Sequence, residues 1–239
     1  MCYSIAGSYR LWTAKLYSTF VEKGYYKYIF QGLGNTIRIT IGALAIGVFI
    51  GFAIAVLKYF IDGQKKRTVA GCIGTFVIDF YVTVVRGIPV VVLLLIFYLV
   101  IFPSSGGISV AILTFGINSG AYMAELVRSG LNSVDPGQAE AGYSLGLNRS
   151  QTMMRIIAPQ ALRNILPGVG NEFIALLKET SVAGYVAVVD LTRAGTMIRN
   201  NTYDAFNPLM LVALVYLAMV VLLTHLLSRL EKKMKHERD

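Results

Sequence analysis

The chain is poor in charge, cysteine and histidine. Asp, Glu, Lys and Arg make up 15% of its 239 residues, against about 25% in an ordinary soluble domain. Its two cysteines, Cys2 and Cys72, have no metal-ligand spacing and supply no disulfide framework. The two histidines, His225 and His236, have no partner at ligand spacing. No G-x-x-x-x-G-K-[ST] phosphate cradle occurs, so the chain is not expected to hydrolyse ATP itself. H-E-x-x-H and nucleophile-elbow motifs are missing too, which argues against a membrane enzyme. Residues 1–27 hold no apolar core long enough for a cleaved signal peptide.

Apolar sequence is in excess. Hydrophobic residues reach 55% and the mean hydropathy is +0.61. That composition predicts an all-α polytopic membrane protein. The net charge is +9, but the basic residues flank hydrophobic runs. They suit membrane orientation and lipid-headgroup contact rather than nucleic acid.

Five spans are expected. The first covers about Gly34 to Leu57, where Ala43, Gly47, Gly51 and Ala55 recur every four residues. Small side chains at that spacing predict a face for close helix packing. Lys58, Lys65, Lys66 and Arg67 then predict a cytosolic loop. The uncharged run from Val90 to Phe102 is too short to span alone. The second span must borrow residues before Pro89, with a bend at Arg86, Gly87 and Pro89. Pro103 to Gly107 predicts an outside turn. The third span covers about Ile108 to Leu131, with Asn118, Tyr122 and Glu125 on one face and Glu125 one turn from Arg128. The fourth covers about Pro167 to Val189 and carries Glu172, Lys178 and Glu179. Ionisable groups at that depth imply either an aqueous path or ion pairs between helices. Arg193 and Arg199 fall in an outside loop, and a fifth span covers about Phe206 to Leu227. The basic tail, Arg229 to Arg238, is expected in the cytosol and the amino terminus outside. Ahead of the spans, basic residues mix with Tyr9, Trp12, Tyr17, Phe20, Tyr25 and Tyr26. That mixture suits either a helix in the headgroup layer or a disordered leader.

One polar stretch interrupts this pattern, Asp135 to Pro159. Asp135 can cap a helix, Pro136 suits its first position, and Gln138 can reach back as the capping-box partner. Gly146 suits the left-handed residue just past the helix end. Ser150 can cap a second short helix that Pro159 limits. Two helices around a glycine turn make a knob suited to a groove on a partner.

The tract Glu140-Ala141-Gly142, three residues, Gly146, nine residues, Ile156, one residue, Ala158-Pro159 resembles the EAA loop. That loop marks membrane-spanning subunits of ATP-binding-cassette (ABC) importers. Gly142 stands for the usual second alanine, and Ala158 for the usual leucine. Arg86-Gly87-Ile88-Pro89, Ala121-Tyr122-Met123-Ala124-Glu125 and Lys178-Glu179-Thr180-Ser181 resemble the polar amino acid branch of those permeases. Thr83 and Leu93 stand where that branch often has glutamate and glutamine.

The resemblance covers about Gly32 to the end. It implies five core transmembrane helices of the type I importer permease fold. It divides the chain into an interfacial segment at 1–31, a permease domain at 32–228 with its coupling loop at 132–165, and a basic tail at 229–239. It implies coupling to ATPase subunits, which bind ATP and Mg, through Asp135, Gly137, Glu140, Ala141, Gly146, Ser150, Ile156 and Pro159. It implies a second permease copy, an extracytoplasmic substrate-binding protein and a bacterial cytoplasmic membrane. Asn118, Ser119, Tyr122, Glu125, Lys178 and Glu179 are the expected path residues, because a zwitterionic amino acid needs both donors and acceptors. An ion-coupled secondary carrier and a non-transporting membrane scaffold are the rival readings.

Overall fold

The computed structural model describes residues 17–62 and 68–236. The leader up to residue 16 and Lys65, Lys66, Arg67 and Arg238 lie outside the described residues. Regular structure among the described residues is helical throughout. The elements are α1 (Tyr26–Asp62), α2 (Val69–Gly87), α3 (Val90–Ile96), α4 (Gly107–Asn132), α5 (Pro136–Ser144), α6 (Arg149–Thr152), α7 (Ala158–Glu179), α8 (Leu191–Thr202) and α9 (Phe206–His236). Among the described residues, α1, α2, α4 and α9 are long and apolar enough to cross a membrane.

Packing partners fix the direction of each pass. Along α1 and α4, Gly42 meets Ile112, Gly47 meets Ser119, Gly51 meets Met123, and Ala55 joins Val127. The two helices therefore run parallel. The run α2–α3 returns, from Asp79 beside Lys58 to Leu94 beside Ala111 and Phe115. Helix α7 runs against α4, from Ile165 at Gly130 to Glu172 at Ser119 and Leu176 at Phe115. Helix α9 descends past Gly195 of α8 at Val212 and past Gly170 of α7 at Leu227. Five alternating passes result, with α4 at the centre. In its most apolar stretch 67% of α4 is buried, against 11% for α2 and 6% for α9.

The expected small-residue face of α1 is the main seam. A Cβ on Gly47 meets Ser119 Oγ at 2.7 Å, so only glycine lets the two backbones approach this closely. The expected break at Pro89 is also present. Helix α2 stops at Gly87, Ile88 and Pro89 are extended, and α3 starts at Val90. Proline disfavours helix in the residue before it, which accounts for Ile88.

Several expected boundaries need correction. Helix α1 begins at Tyr26, not Gly34, because Ile29 packs against Leu191, Ala194 and Ile198 and Gly32 lies against Asp190 and Ala194, so packing carries the helix through its glycine. Before it, Ser18–Glu22 forms a π-helical turn that ends at Gly24 in the left-handed region, φ 70°. Pro167 does not begin the helix of the fourth span, since α7 starts at Ala158 and passes through that proline. From Arg149 to Val186 the backbone is helical without a break: α6, a π-helical turn at Met153–Ile157, α7, and a 3-10 turn at Thr180–Val186. Pro159 opens α7 rather than ending a helix. The widened π turn makes room for its ring where the preceding carbonyl would clash. Arg193 and Arg199 sit on α8, not in a loop. The basic tail continues α9 as helix to His236.

At the end of the bundle opposite the knob, the connector into α8 is stitched to the start of α1. Asn35 Nδ2 donates to the Val189 carbonyl at 2.9 Å, and the Leu191 N–H donates to Thr36 Oγ1 at 3.1 Å. The buried Asp190 caps α8 by accepting the N–H groups of Thr192 and Arg193. Burial pushes its carboxyl above the ordinary aspartate value, against the two backbone donors.

Candidate functional site

The stretch after α4 forms a knob from α5 and α6. Asp135 caps α5 by accepting the Gly137 N–H at 2.7 Å, and Pro136 takes the first turn. At the other end Gly146 has φ 79°. The Leu147 N–H reaches back to the Gly142 carbonyl at 3.1 Å and the Gly146 N–H to Tyr143 at 2.9 Å. This pair of bonds is a Schellman closure, so Gly146 is required by its backbone angle and not by space.

Two of the expected caps are replaced. Asn148, not Ser150, caps α6: it accepts the Gln151 N–H at 2.9 Å, and Gln151 answers on the Asn148 N–H at 3.0 Å. Gln138 does not reach back to Asp135 but accepts from Gln160 at 3.2 Å. That bond ties α5 to the start of α7. The asparagine signal was legible in the sequence, one residue ahead of Arg149 and three ahead of Gln151.

Gly142 is the hinge point of the knob's packing. It is buried, and a Cβ there meets Thr152 Cγ2 at 2.7 Å and Ile156 Cδ1 at 3.0 Å. Glycine in this place lets α5 lie directly on α6 and the π turn. Ile156 faces inward here, whereas Asp135, Gly137, Glu140, Ala141, Gly146, Ser150 and Pro159 are all exposed. Tyr143 and Leu145 were not singled out from sequence. They stand 47% and 78% exposed on the knob, too apolar for a face that meets only water. Their signal was two large apolar residues inside a polar, capped segment.

The expected path residues separate into distinct places. Asn118 and Ser119 are buried inside the bundle, and Ser119 Oγ donates to Glu172 Oε1 at 2.8 Å. Tyr122 is exposed, with the Arg86 guanidinium 4.8 Å over its ring. Glu125 pairs with Arg128, as their spacing predicts. Lys178 and Glu179 end α7 about 10 Å along the axis beyond Glu172. Of the bend residues Arg86, Gly87 and Pro89, Arg86 meets the third pass, at Tyr122. Glu172, which joins the α4 and α7 groups, is the additional residue. Among the described residues no group of three or more His, Cys, Asp or Glu side chains is placed to hold a metal.

Residues 68–236 match the family of binding-protein-dependent transport system inner membrane components. The chain belongs to that family. It is 34% identical to the glutamine transport system permease protein of Escherichia coli, over 87% of this chain and 93% of that one. It is 31% identical to the arginine transport system permease protein of Bacillus subtilis, with the same two coverages. A crystal structure of an amino acid ABC transporter with histidines superposes with a TM-score of 0.80 and 36% identity, over 89% of this chain and 96% of that one. The inward-facing methionine transporter MetNI shares the fold, with a TM-score of 0.73 at 21% identity. The chain is therefore a multi-pass permease subunit of the ABC importer class, in the polar amino acid branch that its motifs resemble. The type I five-helix core expected from sequence is borne out.

Proposed function

We propose that this permease passes a polar amino acid across a bacterial cytoplasmic membrane, driven by ATP hydrolysis in separate subunits. The knob of α5 and α6 is the docking element. The observation that carries this reading is the exposure of Tyr143 and Leu145 on a segment whose shape is fixed by caps at both ends. A preshaped apolar tip beyond the spans suits a groove on a partner protein. ATP and Mg bind to that partner, since the present sequence has no phosphate cradle of its own. The knob end and the carboxyl terminus lie in the cytosol. A substrate-binding protein delivers the amino acid at the opposite face, and a second permease copy completes the path.

Asp135, Gly137, Glu140, Ala141, Gly146, Ser150, Ile156 and Pro159 shape or border the docking element. The buried Ser119–Glu172 pair, with Asn118, offers acceptors and donors inside the bundle. Tyr122, Arg86, Glu125 and Arg128 offer a second polar set on its surface. Lys178 and Glu179 serve the path nearer its outer end. ATP supplies the energy difference between outward and inward states, and the knob transmits it.

Reconstitution with the ATPase subunits and the binding protein tests this reading. ATP-dependent amino acid uptake is expected, and Gly146→Val is expected to abolish it while the purified permease stays folded. Uptake that survives this change, or that proceeds without ATP, overturns the docking role.

A further inference from the structure

Where α1 and α4 end against the α6–α7 run, an apolar cavity of about 450 Å³ remains. Phe52, Val56, Phe60, Leu131, Met153 and Leu162 line it, and apart from Tyr59 and Ser150 no polar side chain does. Phe52, Phe60 and Leu162 stay exposed at its edge. Tyr59 and Leu131 also line a second cavity, of about 260 Å³, which holds Lys58, Arg128 and Arg149. Lys58 pairs with Asp79, and Arg128 with Glu125. Arg149 is held differently: its Nη2 donates to the Tyr59 carbonyl at 2.7 Å and its guanidinium lies 4.8 Å over the Tyr59 ring. Among the described residues no carboxylate pairs with Arg149. Its charge is therefore the uncompensated one in this group.

The two cavities adjoin where the apolar run of α1 gives way to Lys58 and Tyr59. Basic and tyrosine side chains at that position mark headgroup depth. We propose that the joined cavities form a site for one anionic phospholipid. An acyl chain fills the apolar cavity, and the phosphate lies beside Arg149, Lys58 and Arg128. The charge balance favours this occupant: one surplus cation matches one phosphate, whereas a zwitterionic headgroup brings a cation of its own. A lipid seated there braces α1 against the α6–α7 run. The site goes beyond the docking role and does not depend on it.

The test uses the full chain carrying Trp12→Phe and Met154→Trp, reconstituted in phosphatidylcholine vesicles. Met154 lines the apolar cavity and is 72% exposed. Brominated phosphatidylglycerol is expected to quench the introduced indole with about five-fold preference over brominated phosphatidylcholine, the factor for one basic residue near an anionic surface. Arg149→Gln lowers that preference towards one and leaves quenching by phosphatidylcholine intact. Lys58→Gln, which keeps the Tyr59 carbonyl contact, lowers it as well, so a folding defect of Arg149→Gln does not shelter the proposal. Equal quenching by both lipids with Arg149 present makes the cavity ordinary bilayer contact and overturns the proposal. Absence of quenching by either lipid shows a protein segment covering the cavity and overturns it too.

Discussion

The seam between α1 and α4 and the knob of α5 and α6 depend on glycine in opposite ways. In the seam, Gly47 and Gly51 are needed because Ser119, and Met123 with the Ala124 backbone, occupy the space of a side chain. In the knob, Gly146 has nothing within 4 Å of a notional Cβ and is needed for its φ of 79°. The first kind of glycine makes an interface rigid. The second makes a turn end in one direction. Gly142 belongs to the seam's kind although it lies in the knob, its space being taken by the side chains of Thr152 and Ile156.

The sharpest way to break the comparison is Gly51→Leu. Its side chain would fall on Met123 and Ala124 of α4, so the seam cannot close. The expected loss is about 3 kcal/mol or more, seen as failure to purify or a collapse of Tm in detergent. Gly142→Leu should cost about 1–3 kcal/mol, because Thr152 and Ile156 must move aside. Its uptake should fall with it, whereas the bundle's proteolytic resistance should persist. Asn148→Ala removes the side-chain acceptor of the Gln151 N–H, leaves the backbone N–H of residue 148 on Gln151, and should cost about 1 kcal/mol, read as faster hydrogen exchange confined to α5 and α6.

The smallest effect concerns Asp190, at the far end from the knob. Burial favours its protonated form in the fold, so the unfolded chain ionises first as pH rises. Stability from this group is thus greatest at low pH and declines as pH climbs through the ordinary aspartate range towards the raised folded value. Asp190→Asn keeps an acceptor for the α8 cap and removes the decline. Its Tm should match or exceed that of the parent at neutral pH, and the difference should vanish below about pH 4. A larger Tm difference at acid pH than at neutral pH would contradict the assignment.

How legible these regions were follows from the physics of each. The seam was readable because small residues every four positions in an apolar helix favour close packing over a lipid-facing surface. The knob was readable at Asp135 and Gly146 because caps are local. Ser150 was mistaken for a cap because serine and asparagine compete for that role, and only the reciprocal bond to Gln151 decides between them. Pro159 was mistaken for a stop because the π turn that accommodates it leaves no mark in composition. The division of the expected path residues into separate places was not legible at all. It depends on how α7 lies against α4, and no pattern within one helix reports that.

The unbroken helical backbone from Arg149 to Val186 has a mechanical consequence. It is about 57 Å of contour by helical rise, more than the ~30 Å hydrocarbon layer. Under the proposed docking role, a thrust applied at Asn148 would be carried along this one run, and Pro167, the proline inside it, is where the run can bend. The run ends at Ala187, whose φ is 59°, so a stroke passed along it would arrive at the cap of α8.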